Sequence, residues 1–318
     1  GAPCACARRA LETEELLGAV CRGLGRRGSV GLARASRAQA EGVRAALTAL
    51  SAAEAPDIFV FGGHSQRERA VFECGTDFDL DTVHRFDAST SSWTVVSRMQ
   101  TARSGCAVAV MAGAIYVVGG GTGGGNGVFP QPLRLAVRFW PGAGRWEELP
   151  ALSSPRLGCA AAAAGGVLCV AGGLNTFAPL GSVEGYCAAR GSWAPLPSML
   201  RPRFGCAAAS LASRVFAVGG GAPRRLSSVE CLDLGAQRPA WAPLPPMKTA
   251  RYGCAAVAAS DALLVVGGSC GAGMPLASVE RFDAVTRSWE QLPPLSAPRV
   301  GCSAAVAGGA VLVLGGRS

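Results

Sequence analysis

The chain has 318 residues, of which 49% are hydrophobic and only 16% are charged, so it has ample material for a core and is not a disordered chain. Its 44 glycines and 20 prolines exclude a coiled coil, because both residues break long helices. The net charge is +9, yet the cations form no dense block and aromatic residues make up only 6%. A nucleic-acid surface needs clustered cations and stacking rings, so we expect no nucleic-acid partner.

Residues 1–55 carry a helical pattern and form the first predicted unit. Apolar residues recur at helical spacing in two sets, with glycines between them. The sets are Leu11, Leu16, Leu17, Val20 and Leu24, then Val30, Leu32, Val43, Leu47 and Leu50. The pattern by itself fits a helical cap or the remnant of a larger helical domain.

Residues 56–318 contain an internal repeat at intervals of about 50 residues, the type of signal that marks a repeat architecture. Each unit begins with Arg-x-Gly-Cys and a run of small residues, continues with an apolar run ending in Gly-Gly, and then has a valine-centred strand and a tryptophan. The Arg-x-Gly-Cys segments are Arg103–Cys106, Arg156–Cys159, Arg203–Cys206, Arg251–Cys254 and Arg299–Cys302. Four short strands per repeat predict a β-propeller rather than a helical solenoid.

Residues 57–318 resemble kelch repeats in the glycine doublet, in the Val-Glu-x-Phe-Asp strand at Val279–Asp283 and in the spaced tryptophans. The resemblance implies an all-β propeller. The first unit lacks an inner strand before its doublet at Gly62–Gly63, and the last unit stops after its second strand. We therefore expect a six-bladed propeller truncated by roughly 40 residues at the C-terminus. A five-bladed closure with a spare strand is the alternative.

The N-terminal segment resembles an F-box in its run of leucines and in Ser36–Arg37, although Glu12 replaces the usual proline and no tryptophan follows Arg37. The resemblance implies docking to the linker subunit of a cullin–RING ubiquitin ligase. The docking residues would be Leu16, Leu17, Val20, Leu24, Val30 and Leu32. The tail of a BTB–BACK module, which also precedes kelch propellers, is a second interpretation, and a structural cap is a third.

The five repeated arginines are the main candidate binding residues. In kelch propellers the loops before the inner strand and after the doublet form the ligand-binding rim, so the resemblance places these arginines around one mouth. Arginine pairs bidentately with carboxylates, which favours an acidic peptide. The predicted rim comprises Arg103, Arg156, Arg203, Arg251, Arg299, Phe204, Tyr252, Arg224 and Arg225. Alternatively, each arginine holds its own loop by bonding backbone carbonyls.

Catalytic and metal chemistry find little support in the sequence. Two histidines, His64 and His84, and three tyrosines are a poor set for a redox metal, and the repeated cysteines lie on neighbouring blades, too far apart for disulfides or a shared zinc. We expect no cofactor, no metal and no catalytic residue.

Thirteen cysteines without a signal-like segment favour reduced thiols in the cytoplasm or nucleus. The charge-free stretch 157–183 belongs to the repeat, so we expect no membrane span.

The sequence therefore predicts a protein-interaction module rather than an enzyme. Its most specific interpretation is the substrate receptor of a cullin–RING ubiquitin ligase, in which the propeller rim holds the client. A cytoskeletal or signalling scaffold is the alternative, and it differs only in whether the N-terminal segment binds a ligase subunit. A propeller-fold enzyme would need polar groups clustered on the inner strands, which are mostly Gly, Ala, Val and Cys.

Overall fold

The structure is a computed structural model that describes residues 46–50, 57–65, 78–87, 92–123, 129–271, 274–307 and 310–318. Within these ranges the chain forms β-strands, one short 3-10 turn and no α-helix. The helices predicted within residues 1–45 lie outside the described residues. All strand pairings within the sheets are antiparallel, as expected for hairpin-connected blades.

The first blade contains a strand that the repeat pattern does not reveal. Its elements are β1 (Ala46–Leu50), β2 (Asp57–Phe61), β3 (His64–Ser65), β4 (Phe78–Asp79), β5 (Thr82–Asp87) and β6 (Ser92–Arg98). The sheet order is β1-β2-β5-β6, with Ala46 opposite Phe61 and Leu50 opposite Asp57. The helical prediction for Leu47 and Leu50 is therefore wrong, because these residues form the inner strand that the first repeat lacked.

Four further blades follow, each a four-stranded sheet ordered from the centre outwards. Blade 2 has β7 (Ala107–Met111), β8 (Ala114–Val118), β9 (Gly121–Thr122), β10 (Gln131–Pro132), β11 (Ala136–Trp140), the turn Pro141–Ala143 and β12 (Arg145–Glu148). Blade 3 has β13 (Ala160–Ala164), β14 (Val167–Ala171), β15 (Val183–Cys187) and β16 (Ser192–Leu196). Blade 4 has β17 (Ala207–Leu211), β18 (Arg214–Val218), β19 (Val229–Asp233) and β20 (Trp241–Leu244). Blade 5 has β21 (Ala255–Ala259), β22 (Ala262–Val266), β23 (Ser269–Gly271), β24 (Met274–Pro275), β25 (Val279–Asp283) and β26 (Ser288–Leu292).

The last described segment forms a two-stranded sheet, β27 (Val300–Ala307) with β28 (Ala310–Arg317). Strand β27 lies between the inner strands of blades 5 and 1, β21 and β1, and contacts both. The described residues thus build five four-stranded blades, and the prediction of six blades is wrong. The prediction failed in part because it left Ala46–Leu50 out of the propeller.

Packing between the sheets follows the residue sizes that the repeat predicts. The inner strand Ala160–Ala164 is all alanine and alternates buried with partly buried positions, so neighbouring inner strands can approach closely. The second strands are buried throughout, as in Ala114–Val118 and Ala262–Val266. The tryptophans add a hydrogen bond to the apolar contact that the sequence predicted. Trp193 and Trp289 each donate from Nε1 to a proline carbonyl of the preceding blade, at 2.7 and 2.8 Å.

Candidate functional site: the loop face of the propeller

One face of the propeller collects the loops that the sequence associates with binding. The inner strands begin and the second strands end on this face, which we call the loop face. In blades 2 to 5, isolated β-bridges join the loop before the inner strand to the loop after the doublet, as between Leu157 and Leu174 or between Phe204 and Gly221. The repeat therefore brings both kinds of loop together, because each blade repeats the same connections.

The repeated arginines lie beneath the loop face rather than on it. Arg103 is 1% exposed and Arg156, Arg203 and Arg251 are each 0% exposed. Arg299 is only partly buried, and its Nη1 donates to the Gly315 carbonyl at 2.9 Å. In Arg156, Arg203 and Arg251 both Nη1 and Nη2 donate to acceptors of their own blade, whereas the Nε of Arg203 and of Arg251 has no hydrogen-bond partner in the part of the chain that the structure describes. The arrangement matches the alternative in which each arginine holds its own loop.

Arg203 illustrates the contacts of these three buried arginines. Its Nη1 donates to the carbonyls of Gly219 and Ser228, both at 2.8 Å. Its Nη2 donates to Ser228 Oγ at 2.8 Å and to Glu230 Oε1 at 2.7 Å. The second carboxylate oxygen of Glu230 accepts from the Leu200 N–H at 2.6 Å. Both charges are thus paired and hydrogen-bonded, the condition under which a buried ion pair is tolerated.

The same ion pair recurs in blades 3 and 5. Arg156 bonds Glu184 Oε1 at 2.9 Å, and Arg251 bonds Glu280 Oε1 at 2.8 Å. The sequence analysis missed the role of these glutamates, one of which it noted only as part of the Val-Glu-x-Phe-Asp strand at Val279–Asp283. Their signal is the serine-x-glutamate pattern at the start of each third strand, 182–184, 228–230 and 278–280.

The glycine doublets connect neighbouring blades. The second glycine of each doublet donates its N–H to the carbonyl of the arginine in the next blade, as from Gly220 to Arg251 at 2.7 Å. The first glycine is left-handed, with φ +61° at Gly219, and a Cβ there would lie 2.6 Å from the Arg251 oxygen. The backbone carbonyl of each arginine therefore accepts a hydrogen bond from the preceding blade, while the guanidinium group bonds to its own blade.

Blade 2 departs from this pattern. The strand register places Leu135 at the position of the serine and Val137 at that of the glutamate, so the third strand brings no carboxylate to Arg103. Arg138 instead pairs with both carboxylate oxygens of Glu147, at 2.6 and 3.0 Å. Arg103 makes two long bonds, to the carbonyls of Thr101 and Gly119, both at 3.4 Å.

The other predicted rim residues lie at or near the surface of the loop face. Phe204 and Tyr252 are partly exposed and meet edge to face, with ring centroids 5.1 Å apart. Arg224 and Arg225 are exposed on the loop after the doublet of blade 4. The sequence analysis missed Phe177, which is 92% exposed on the equivalent loop of blade 3.

The centre of the propeller is a narrow channel with a cavity of about 160 Å³, lined by the Gly-Cys segments and the residues that follow them. Burial raises the pKa of the thiols, to about 12 at Cys159 and Cys254 and to about 11 at Cys206. These thiols are therefore protonated at neutral pH and pack as small apolar groups.

Among the described residues, no three His, Cys, Asp or Glu side chains cluster so as to hold a metal ion. The same part of the chain contains no helix capable of crossing a membrane.

The radial array of antiparallel sheets around a channel defines a β-propeller, confirming that part of the expectation. A solved structure described as YjhT is similar, with a TM-score of 0.70, covering 86% of this chain and 90% of that one. At 14% sequence identity, this likeness shows the fold alone. A family model for the Kelch motif matches residues 102–153, 202–248 and 250–296. The chain therefore contains kelch motifs in these three segments.

Parts of the chain are also similar to curated proteins whose descriptions mention kelch repeats or a kelch domain. An F-box/kelch-repeat protein of Arabidopsis thaliana is 35% identical over 95 residues, which are 30% of this chain and 24% of that protein. Kelch domain-containing protein 8B of Homo sapiens is 33% identical over 133 residues, which are 41% of this chain and 36% of that protein. The matches thus span about a quarter to a third of the relatives' lengths. Kelch repeats indicate a propeller that serves as a protein-interaction module.

Proposed function

We propose that the loop face binds an acidic segment of a client protein. The observation that carries this proposal is the charge of the loops in blades 2–5. The segments 119–135, 149–158, 172–182, 197–205, 219–228, 245–253, 267–278 and 293–301 contain no aspartate or glutamate. Their exposed cations are Arg134, Arg201, Arg224, Arg225 and Lys248. Complementary charge on a partner would steer it to this face and set its register.

Exposed apolar side chains among these cations supply the contact area that charge alone does not give. Phe129 is 56% exposed and Met274 is 59% exposed, both on loops that follow a doublet. Aromatic and methionine side chains are enriched at interface centres, where they fill pockets on the partner. A peptide that alternates acidic and apolar residues therefore fits this face. The proposal assigns binding, and no catalytic step, to the chain.

Replacing Arg224 and Arg225 together by serine is expected to lower affinity for acidic peptides by about tenfold, because two exposed cations of the face are lost. Peptides would first be selected on the unchanged chain from a phage-displayed random library, then measured by fluorescence anisotropy. The matched control replaces Arg190 and Arg238, exposed on the opposite face, by serine. It makes the same change in net charge and should leave affinity unaltered. Equal losses in both variants, or selected peptides without acidic residues, would contradict the proposal.

The finer proposal is that the chain is a substrate receptor of a cullin–RING ubiquitin ligase, located in the cytoplasm or nucleus. Its support is the F-box resemblance of the N-terminal segment and the printed description of relatives as F-box/kelch-repeat proteins. The propeller would then raise the effective concentration of its client at the ligase. In the alternative function, a scaffold without a ligase, the chain would bind its partner through the same loop face.

Replacing Leu16 and Leu17 together by aspartate in the full chain separates these two functions. A receptor should lose the cullin–RING linker subunit in co-purification, because charged residues disrupt an apolar docking surface. The same variant should keep its affinity for the selected acidic peptides, which shows that the propeller is intact. If the unchanged chain recovers no linker subunit, the scaffold interpretation replaces the receptor.

A further inference from the structure

Blade 2 has a partly enclosed cavity beside Arg103. Its volume is about 210 Å³, and its lining includes Gln100, Thr101, Arg103, Ala136 and Glu148. The cavity lies where the third strand begins and the outer strand ends, so it belongs to the loop face. Arg103 is 1% exposed, and no acceptor for its Nη2 is found within the described ranges.

The other blades show what the residues around this cavity can hold. In blades 3, 4 and 5 the equivalent arginine donates from Nη2 to a carboxylate oxygen, at 2.9, 2.7 and 2.8 Å. The other oxygen of each carboxylate accepts the backbone N–H three residues before the arginine. These donors are Ser153, Leu200 and Lys248, at 2.9, 2.6 and 2.7 Å.

Blade 2 retains both donors and lacks the carboxylate. The residue three positions before Arg103 is Gln100, which lines the cavity, and its N–H has no acceptor among the residues that the structure describes. Val137 at the glutamate position and Leu135 at the serine position, which both line the cavity, remove the internal side-chain acceptors. Burial lowers the pKa of Arg103, but a guanidinium remains charged at neutral pH. An unpaired buried cation is unfavourable, which favours an acceptor from outside the blade.

We propose that this cavity binds the carboxylate of an aspartate or glutamate side chain from the partner, a proposal that rests on the acidic client proposed above. One carboxylate oxygen accepts from Arg103 Nη2, and the other accepts from the Gln100 N–H. The partner's side chain thus takes the place that Glu184, Glu230 and Glu280 take in the other blades.

The surrounding charges select a single carboxylate over anions of higher charge. Glu147 and Glu148 also line the cavity. Glu147 is engaged by Arg138, whose hydrogen bonds lower the pKa of Glu147, while Glu148 is exposed at the cavity wall. A dianion such as phosphate is repelled more strongly by these carboxylates than a monoanionic carboxylate is.

The test compares N-acetylglutamate amide, which has one free carboxylate, with neutral N-acetylglutamine amide and with inorganic phosphate at constant ionic strength. Binding is followed on the full chain through the Arg103 Nε–Hε resonance in NMR spectra. We expect the glutamate probe to shift this resonance in a saturable manner, with little effect of the glutamine probe or phosphate.

The decisive variant combines Leu135→Ser with Val137→Glu, which supplies the serine and glutamate of the other blades while keeping Arg103. It should raise the melting temperature and weaken binding of the glutamate probe by about tenfold or more, as loss of a charge-assisted hydrogen bond requires. The control Leu135→Ser with Val137→Ala changes the same two positions without supplying a carboxylate, and should keep probe binding.

Three outcomes would overturn the carboxylate site: no saturable shift by the glutamate probe, equal response to phosphate, or unchanged probe binding in the double variant. Failure of the proposed client binding gives a different result. If the Arg224 and Arg225 variant keeps its affinity for acidic peptides, the loop-face proposal fails whether or not the probe binds. If the Leu135→Ser, Val137→Glu variant loses the probe but retains the selected peptides, the assignment of the carboxylate to the partner is wrong.

Discussion

Replacing Glu230 by alanine is expected to lower the free energy of unfolding by about 3–5 kcal/mol, the cost of leaving a buried charge without its partner. Arg203 is 0% exposed and Glu230 is 2% exposed, so water cannot replace the lost carboxylate. The variant also removes the acceptor of the Leu200 N–H. Guanidinium chloride denaturation followed by tryptophan fluorescence measures the change.

Two further variants show whether burial is the cause. Glu290→Ala removes an ion pair with Arg281 that is equally short, 2.7 Å, but has side chains 30% and 56% exposed; the expected loss is no more than about 1 kcal/mol. Combining Arg203→Met with Glu230→Leu replaces the buried pair by apolar groups and should recover much of the stability. Similar losses for Glu230→Ala and Glu290→Ala would show that the Arg203 pair is accessible to water.

Replacing Gly219 by alanine is expected to destabilise the chain by about 1–3 kcal/mol more than the same change at Gly191, in the range of overpacking. Both glycines are left-handed, with φ of +61° and +64°, so both alanines carry the same backbone strain. A Cβ at Gly219 lies 2.6 Å from the Arg251 carbonyl oxygen, whereas a Cβ at Gly191 has nothing within 4 Å. The difference between the two unfolding free energies isolates this close approach.

The contact of Gly219 is with the backbone of the neighbouring blade, which cannot rotate away as a side chain can. The alanine would therefore also strain the hydrogen bond from Gly220 to Arg251, 2.7 Å long in the structure. Thermal unfolding provides a second measure, and the melting temperature of Gly219→Ala should be lower than that of Gly191→Ala. Equal melting temperatures of the two variants would mean that the blades can move apart at Gly219 without losing stability.

The sequence reveals the blades because each repeats the same short-range pattern. The alanine-rich inner strand 160–164 and the tryptophans are visible as residue types at fixed spacing, and the structure confirms their places. Strand Ala46–Leu50 was missed because its sequence, ALTAL, lacks the motif and has apolar residues that fit a helix equally well. Only its pairing with Asp57–Phe61, set by the tertiary fold, identifies it as a strand.

The candidate site was harder to predict because its charges pair over long distances. Arg203 and Glu230 are 27 positions apart, so no local pattern shows that one neutralises the other. A column-by-column comparison of the repeats would have shown Ser228 and Glu230 recurring with the arginine, and would have identified Val137 as the exception. The difference between a buried ion pair and an open cavity therefore lies in one substituted strand rather than in the motif itself.

The junctions between blades bear on how such a chain can change its number of repeats during evolution. The entry glycines of successive inner strands bond in one direction, from Gly205 to Gly158 at 2.8 Å and from Gly253 to Gly205 at 2.7 Å. Such a head-to-tail interface is the same at every step, so a duplicated blade meets suitable donors and acceptors on both sides. Two of the repeated tryptophans differ from the others, since Trp146 bonds the side chain of Ser97 rather than a proline carbonyl and the Nε1 of Trp93 has no partner among the described residues. Duplication is therefore least constrained among blades 3 to 5, whose junctions depend on main-chain acceptors.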